Sequence, residues 1–321
     1  MCRGMNESAA KDADEAVRVA MTFLEKRAGA RDTQEFCDEH SKLIAMGTES
    51  LSTNAWGMDL PSEWRTVRTA PADGAYNMAF DSALLDAARE RDYGVWRTYA
   101  WERPTISFGR NEAVRNRFDR DSLAASGLDA VRRPTGGRAL LHAAEVTYSV
   151  TLRISDQTPW TTVYAAVNDV LLAALRLLGV PAELSTKPAG PPMRPDGPVC
   201  FDQPAPGEII VNGAKLVGSA VWREHGAYLQ HGSILLTDSQ HLLQSAMRPP
   251  RSITPPAASL DACLRQTPTW DAVADALEQA LRDRLSTRHV GGVTPDAVSL
   301  DERTLARHGT HFRDDTWLWR R

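Results

Sequence analysis

Lysine is scarce in this chain, and cysteine is scarcer. Of 37 basic residues, five are lysines (Lys11, Lys26, Lys42, Lys187 and Lys215) and the rest arginines. A chain that uses arginine wherever a plain positive charge will serve draws attention to a lysine in its body, because arginine stays protonated whereas a desolvated lysine can titrate. The four cysteines, Cys2, Cys37, Cys200 and Cys263, form no CxxC pair, which removes support for a zinc ribbon or a disulfide framework. No run approaches the roughly 18 to 20 apolar residues of a membrane span, and the polar, acidic stretch Met1 to Glu15 lacks the order of a signal peptide. A basic domain is missing too. Residues 1–60 hold 7 basic against 11 acidic residues and account for the whole net charge of -4, while the remainder is balanced at 30 and 30; a nucleic-acid binder would show a basic excess. His142, His225 and His231 have no metal-binding spacing, and neither a P-loop nor a Gly-x-Ser-x-Gly elbow occurs. These absences leave a cytoplasmic enzyme as the expectation, with no metal, membrane or nucleic-acid partner.

What is present suits a folded enzyme. Hydrophobic residues make up 42% and charged residues 24% of 321, enough for a sizeable core in one large or two ordinary domains. Residues 11–27 read as a modest amphipathic helix within an appended segment, 1–60. From Trp64 the chain alternates: a strand at 64–68, a helix over 75–91 ended by Gly94, strands at 95–99 and 105–108, a helix near 119–126 and a strand at 130–133. A strand at 145–154 and a strongly apolar helix at 161–178 follow. Residues 187–206 hold seven prolines and two glycines, a loop of the length that usually carries function. Strands at 208–211 and 215–221 flank Asn212-Gly213, a hairpin signal, and 228–236 is a further strand. An amphipathic helix at 270–285 belongs to a C-terminal helical region from about 257. The fold class is therefore α/β (α+β), with mixed sheets flanked by helices.

Three clusters carry chemistry. In Arg132-Arg133-Pro-Thr135-Gly136-Gly137-Arg138, with His142 beyond, paired glycines expose successive amides and the arginines can fork onto an anion; the same run also reads as a glycine turn with solvated arginines. In Asn212 to Ala220, Lys215 opens a return strand on which Gly218, Ser219 and Ala220 offer a flat wall to a narrow apolar ligand, with His231 and Gly232 on the next strand; small residues that merely fit beneath a helix are the other reading. Cys200, at the end of the Pro-rich loop, becomes a nucleophile if an ammonium beside it lowers its pKa, and Lys215 across the hairpin is a plausible ammonium. An inert loop cysteine is the alternative.

Taken together, four blocks resemble the lipoate-protein ligase A and biotin-protein ligase catalytic-domain family, and most closely its cysteine-dependent octanoyltransferases of the LipM type. They are Tyr76-Asn77-Met78-Ala79-Phe80-Asp81, Arg132 to Arg138 with His142, Glu145-Val-Thr-Tyr148-Ser149, and Asn212 to Ala220 with Leu229-Gln230-His231-Gly232-Ser233. The likeness covers Trp64 to Trp319. It implies a biotin/lipoate ligase-like catalytic domain at 61–321. It also implies transfer of octanoate from octanoyl-acyl carrier protein to the lysine of a lipoyl domain or glycine-cleavage H protein. Cys200 would carry the acyl group as a thioester and Lys215 would lower the thiol pKa or orient the carbonyl, with oxyanion donors among the amides of Gly136, Gly137 and Gly218. Arg133, Thr135, Gly136, Gly137, Arg138, His142, Gly218, Ser219, Ala220, His231 and Gly232 would line the substrate site. No cofactor is implied, whereas the alternative on this fold, an ATP-dependent lipoate ligase, needs ATP and magnesium and typically has Arg-Asn-Asp where this chain has Cys200-Phe201-Asp202. A non-catalytic acyl- or lipoyl-binding protein is the reading from a different class. Val221 and Ala214 depart from the family's usual Gln and Arg. The resemblance implies a monomer, and leaves residues 1–60 as a docking or regulatory helix, or as the product of an upstream start with Met58 as the alternative.

Overall fold

The computed structural model describes residues 60–155, 157–186, 200–201, 204–205, 207–248, 256–285, 289–298 and 300–320. The helix expected over 11–27 and most of the Pro-rich loop lie outside the described residues.

The first half of the fold lays down strands around one buried helix. Strand β1 (Glu63–Arg68) leads to helix α1 (Gly74–Ala88), followed by β2 (Tyr93–Tyr99), β3 (Thr105–Phe108), α2 (Arg120–Ala125), β4 (Asp129–Arg132), β5 (Leu140–His142) and β6 (Glu145–Arg153). Asp73 caps α1, its carboxylate accepting from the Tyr76 amide at 2.6 Å, which satisfies an N–H left over at the helix start. Helix α1 buries polar residues as well as apolar ones, Asn77 and Asp81 among them, and that places it over the chemistry described below. Gly94 does not end this helix. It lies inside β2 against Trp64, whose ring a Cβ at position 94 would approach to 2.7 Å.

Helix α3 (Trp160–Leu177) and short β7 (Glu183–Leu184) lead to β8 (Ile209–Val211), β9 (Ala214–Glu224) and β10 (Ala227–Leu235). Asn212 and Gly213 both take positive φ, 51° and 79°, the type I′ geometry whose twist matches a two-residue hairpin. The β9–β10 turn repeats it at His225 and Gly226, so β9 runs three residues past its expected end. Helices α4 (Gln240–Ser245), α5 (Leu260–Cys263) and α6 (Trp270–Leu285) follow, then β11 (His289–Val293), α7 (Glu302–Arg313) and α8 (Asp315–Leu318).

Eight strands form one mixed sheet in the order β11-β1-β2-β6-β10-β9-β8-β7, and three form a second, β4-β3-β5. β1 is parallel to both neighbours; from β2 through β7 the pairs are antiparallel. Strand β6 is buried on both faces. One face of the large sheet packs on α3 and α6, where Val167, Leu171, Leu175, Val273 and Leu277 join Trp96, Tyr148 and Val150 in the main core; each such side chain contributes about 1.5–3 kcal/mol on burial. Helix α1 covers the other face. The C-terminal α7 closes over α1, with Phe312 packed on Met78, Tyr99 and Val131.

Candidate active site

The site is assembled on the α1 face of the large sheet. Residues directly opposite one another fall into rows: Gly218, Ser233 and Thr147 in one, and Ala220, His231, Ser149 and Arg97 in another. Between them runs the row of Ser219, Gly232 and Tyr148, whose side chains point the other way because alternation along a strand has period two. The Ser219 hydroxyl meets Tyr148 Oη at 2.7 Å, and a Cβ on Gly232 would strike the same tyrosine ring. The flat wall expected of Gly218, Ser219 and Ala220 is thus made by Gly218 and Ala220 alone.

Two buried carboxylate–histidine pairs occupy this face. Asp81 accepts from His231 Nδ1 at 3.1 Å, from Arg97 at 2.7 Å, from Ser149 at 2.7 Å and from Tyr99 at 3.0 Å. Burial alone would push the Asp81 carboxyl up, but the Arg97 guanidinium, His231 and Ser149 outweigh it and hold the group below its usual range. Burial pulls the His231 pKa down despite Asp81. His231 Nε2 lies 2.7 Å from Thr135 Oγ1. In the second pair His142 Nδ1 meets Glu145 at 2.7 Å and Nε2 meets Ser107 Oγ at 2.8 Å, while its ring stacks on Trp101, centroids 3.9 Å apart. Glu145 also accepts from Thr147 and Ser233.

Both pairs hold up the Thr135-Gly136-Gly137 loop. His231 fixes it through Thr135, and His142 through Ser107, which bonds the buried Arg133. Arg133 donates to Ser107 O at 2.8 Å, to Gly136 O at 2.8 Å and to Arg138 O at 2.8 Å. Its guanidinium is therefore a staple for its own loop and presents no fork to a ligand, a correction to the expectation from the motif. Gly137 takes φ 94° with Arg133 beneath it, a conformation that suits glycine. Gly136 and Arg138 are half-buried, and Gly137 is exposed.

Cys200 joins this loop at its far end, donating its amide to Ala139 O at 3.0 Å. Its sulfur lies above Gly218: a Cβ there would stand 3.4 Å from Sγ and 3.2 Å from the Phe201 ring. A side chain at 218 would press on the Phe201 ring while only touching the thiol, so glycine there serves to seat Phe201 beside Cys200. Lys215, buried at 2% exposure, points Nζ at three acceptors: Cys200 Sγ at 3.4 Å, Cys200 O at 3.0 Å and Glu208 Oε1 at 2.6 Å. Burial draws the Lys215 pKa down, yet the Cys200 and Glu208 groups outweigh it and raise it above the ordinary value. Lys215 thus stays a cation, and the titrating lysine anticipated from composition is not what the structure holds.

Cys200, Lys215, Gly218, Ala220 and His231 with Thr135 therefore share one locality, while His142, Arg133, Ser219 and Gly232 support it from behind or from the other face. Sequence reasoning did not single out Glu208. It lies just before β8, whose Ile210 pairs with Lys215, and its carboxylate reaches the ammonium from two residues further along. Asp81 and Glu145 stood inside the motif blocks without an assigned role. Among the described residues no group of His, Cys, Asp and Glu could hold a metal ion, and no helix is long and apolar enough to cross a membrane.

The chain is similar to known proteins over most of its length. The lipoyl protein ligase A/B catalytic domain profile matches residues 73–282. The octanoyltransferase LipM of Kyrpidia tusciae is 34% identical over 277 residues, 80% of this chain and 99% of its own length. That of Symbiobacterium thermophilum is 39% identical over 281 residues, 82% of this chain and all of its own. In fold, the chain is similar to a T. acidophilum protein described as a lipoate protein ligase and solved with bound lipoic acid, with a TM-score of 0.64 at 19% identity, over 80% of this chain and 99% of that one.

Proposed function

Because the chain belongs to the lipoyl protein ligase A/B catalytic-domain family, we propose that it transfers an octanoyl group from octanoyl-acyl carrier protein to the lysine of a lipoyl domain or glycine-cleavage H protein, through a thioester on Cys200. The observation that carries this reading is the Lys215 ammonium 3.4 Å from the Cys200 sulfur. A close cation favours the thiolate, the nucleophilic form. The thiolate attacks the carbonyl of the incoming thioester, the carbon–sulfur bond to the carrier breaks, and the carrier thiol leaves with a proton. The ε-amine of the acceptor lysine then attacks the acyl-enzyme, an amide forms, and Cys200 is released as a thiol. Thioester exchange is nearly isoenergetic and amide formation runs downhill, so the sequence needs no ATP. Once the sulfur is acylated, Lys215, through the N–H that faced Sγ, is the donor nearest the reacting carbonyl and would hold the developing oxyanion, an interaction worth roughly 3 kcal/mol. Its three N–H donors match three acceptors at three angles, which a planar guanidinium would not do. A carrier-protein donor implies a cytoplasmic reaction.

Incubation with octanoyl-carrier protein and no ATP yields an acyl adduct on the intact protein that hydroxylamine removes and that Cys200→Ser lacks. Full activity of Cys200→Ser with an absolute ATP requirement would overturn this in favour of the ligase reading. Binding of octanoate with no adduct and no transfer would favour a non-catalytic role.

A further inference from the structure

We propose that a stack of Trp222, Arg110 and Trp317 closes the far end of the acyl groove and sets its length at about eight carbons. This deepens the acyl-thioester reading above and rests on it. An alkyl chain attached to Cys200 Sγ starts above Gly218. In one direction along β9 the space is already filled by the buried Lys215–Glu208 ion pair and the Phe201 ring. In the other direction the next residue on the same face is Ala220, half-exposed and with the smallest side chain available beyond glycine. The residue after it on that face is Trp222, opposite Leu229 and packed against Leu85, Ala88 and Leu229.

Trp222 is not alone. The Arg110 guanidinium lies 4.2 Å from the Trp222 ring centroid and 5.5 Å from that of Trp317, wedged between two indoles. Arg320 covers Trp317 at 4.1 Å and bonds Asn111. Arg110 is tied to the glycine loop by its amide, which donates to Thr135 O at 2.8 Å. The plug thus joins strand β9, the turn after β3 and the C-terminal α8, and it gives the Trp-Leu-Trp-Arg tail a place in the site.

The distances match an eight-carbon group. Four residues of strand, Gly218 to Trp222, span about 13 Å. An extended octanoyl chain, with bonds of about 1.5 Å advancing about 1.25 Å each, measures about 9 Å from carbonyl to methyl, and the link to sulfur adds about 1.5 Å. Its methyl ends within van der Waals reach of the indole, whereas a decanoyl chain meets it. Every added methylene that finds room gains about fourfold in binding, so the stop is what denies longer chains that gain.

The test compares thioester formation from hexanoyl-, octanoyl-, decanoyl- and dodecanoyl-carrier protein by intact mass. In Trp222→Ala the decanoyl-to-octanoyl rate ratio rises tenfold or more over wild type. In Ala220→Val, which narrows the groove without touching the plug, the butanoyl-to-octanoyl ratio, measured in the same way, rises similarly, because a butanoyl chain ends short of position 220. If wild type forms no octanoyl adduct, the acyl-enzyme function itself is wrong. If wild type loads octanoate and either folded variant keeps the wild-type chain-length ratios, the groove does not run along β9 and the plug is refuted while the acyl-enzyme stands.

Discussion

Replacing Lys215 with methionine keeps the aliphatic stem and deletes the ammonium, which separates two things the residue does. Nζ sits 2.6 Å from Glu208, the lysine side chain is 2% exposed and the glutamate 11%. Methionine therefore strands a carboxylate where little water reaches it. Removing one partner of a buried ion pair costs about 3–5 kcal/mol. Glu208 retains the Ala205 amide at 2.8 Å on its other oxygen, so the lower end, about 3 kcal/mol, is expected. Adding Glu208→Gln removes the stranded charge. The double variant should return to within about 1 kcal/mol of wild type, because an amide that keeps a hydrogen bond costs far less to bury than an ion. Urea unfolding measures both.

Reactivity does not follow stability. A unit charge 4 Å from another is worth about 4 kcal/mol at an effective dielectric of 20, and Cys200 is half-exposed, so solvent screening removes about half of that or more. Alkylation of Cys200 by iodoacetamide at neutral pH should fall roughly ten- to hundredfold in Lys215→Met and stay equally low in the restored double variant. A double variant that regained wild-type alkylation and octanoyl loading would refute the assignment of Lys215 to the sulfur. Equal stability of Lys215→Met and wild type would refute the energetic account of the pair.

Two further outcomes follow from buried contacts. Asp81 titrates below its ordinary range, so its contribution is present above the unfolded value of about 3.9 and is lost as pH falls through the lower folded value; the urea midpoint should drop below about pH 4. Asp81→Asn should remove that component of the acid dependence and cost about 3 kcal/mol at neutral pH, because Arg97, fully buried, loses its counter-ion. Gly94→Ala forces a methyl to 2.7 Å from the Trp64 ring and should lower stability by about 1–3 kcal/mol, read by thermal unfolding, with octanoyl loading per folded molecule unchanged.

How far the site is legible in the sequence depends on how its contacts are made. The hairpin at Asn212-Gly213 is local and carries Lys215 with it, so turn chemistry alone is enough to put the lysine at a strand start. Cys200 could be paired with Lys215 because they are separated by one hairpin and a loop. Glu208 lies closer in sequence than Cys200, and counting back from the same turn pairs Ile210 with Lys215, so the carboxylate two residues before Ile210 was within reach of local counting. Arg133 shows the opposite failure. Its position in an Arg-rich glycine loop suggests an anion ligand, but its donors are consumed by Ser107, Gly136 and Arg138, and Ser107 reaches it only because β3 and β4 are parallel neighbours. Arg110 and Trp222 meet across 112 residues with no periodicity linking them. β11 carries two central glycines, which read as loop until β1 supplies a partner.

The scarcity of lysine draws attention to Lys215 as a residue that could titrate, and its surroundings assign it a different property. A desolvated lysine that gives up its proton would be useless beside a sulfur that must become an anion. What this position needs is a charge that burial does not remove, and Cys200 together with Glu208 offsets the desolvation of Lys215. The same carboxylate competes with Cys200 for the ammonium, so the pair must be close enough to keep Nζ charged and divided enough to leave a donor on the sulfur. A compact ammonium with three rotatable donors can divide itself between Glu208, Cys200 O and Cys200 Sγ; a planar guanidinium, which fits two oxygens side by side, would be captured by the carboxylate. In a chain that otherwise favours arginine, the geometry of three acceptors at one buried point is the property that selects lysine at 215.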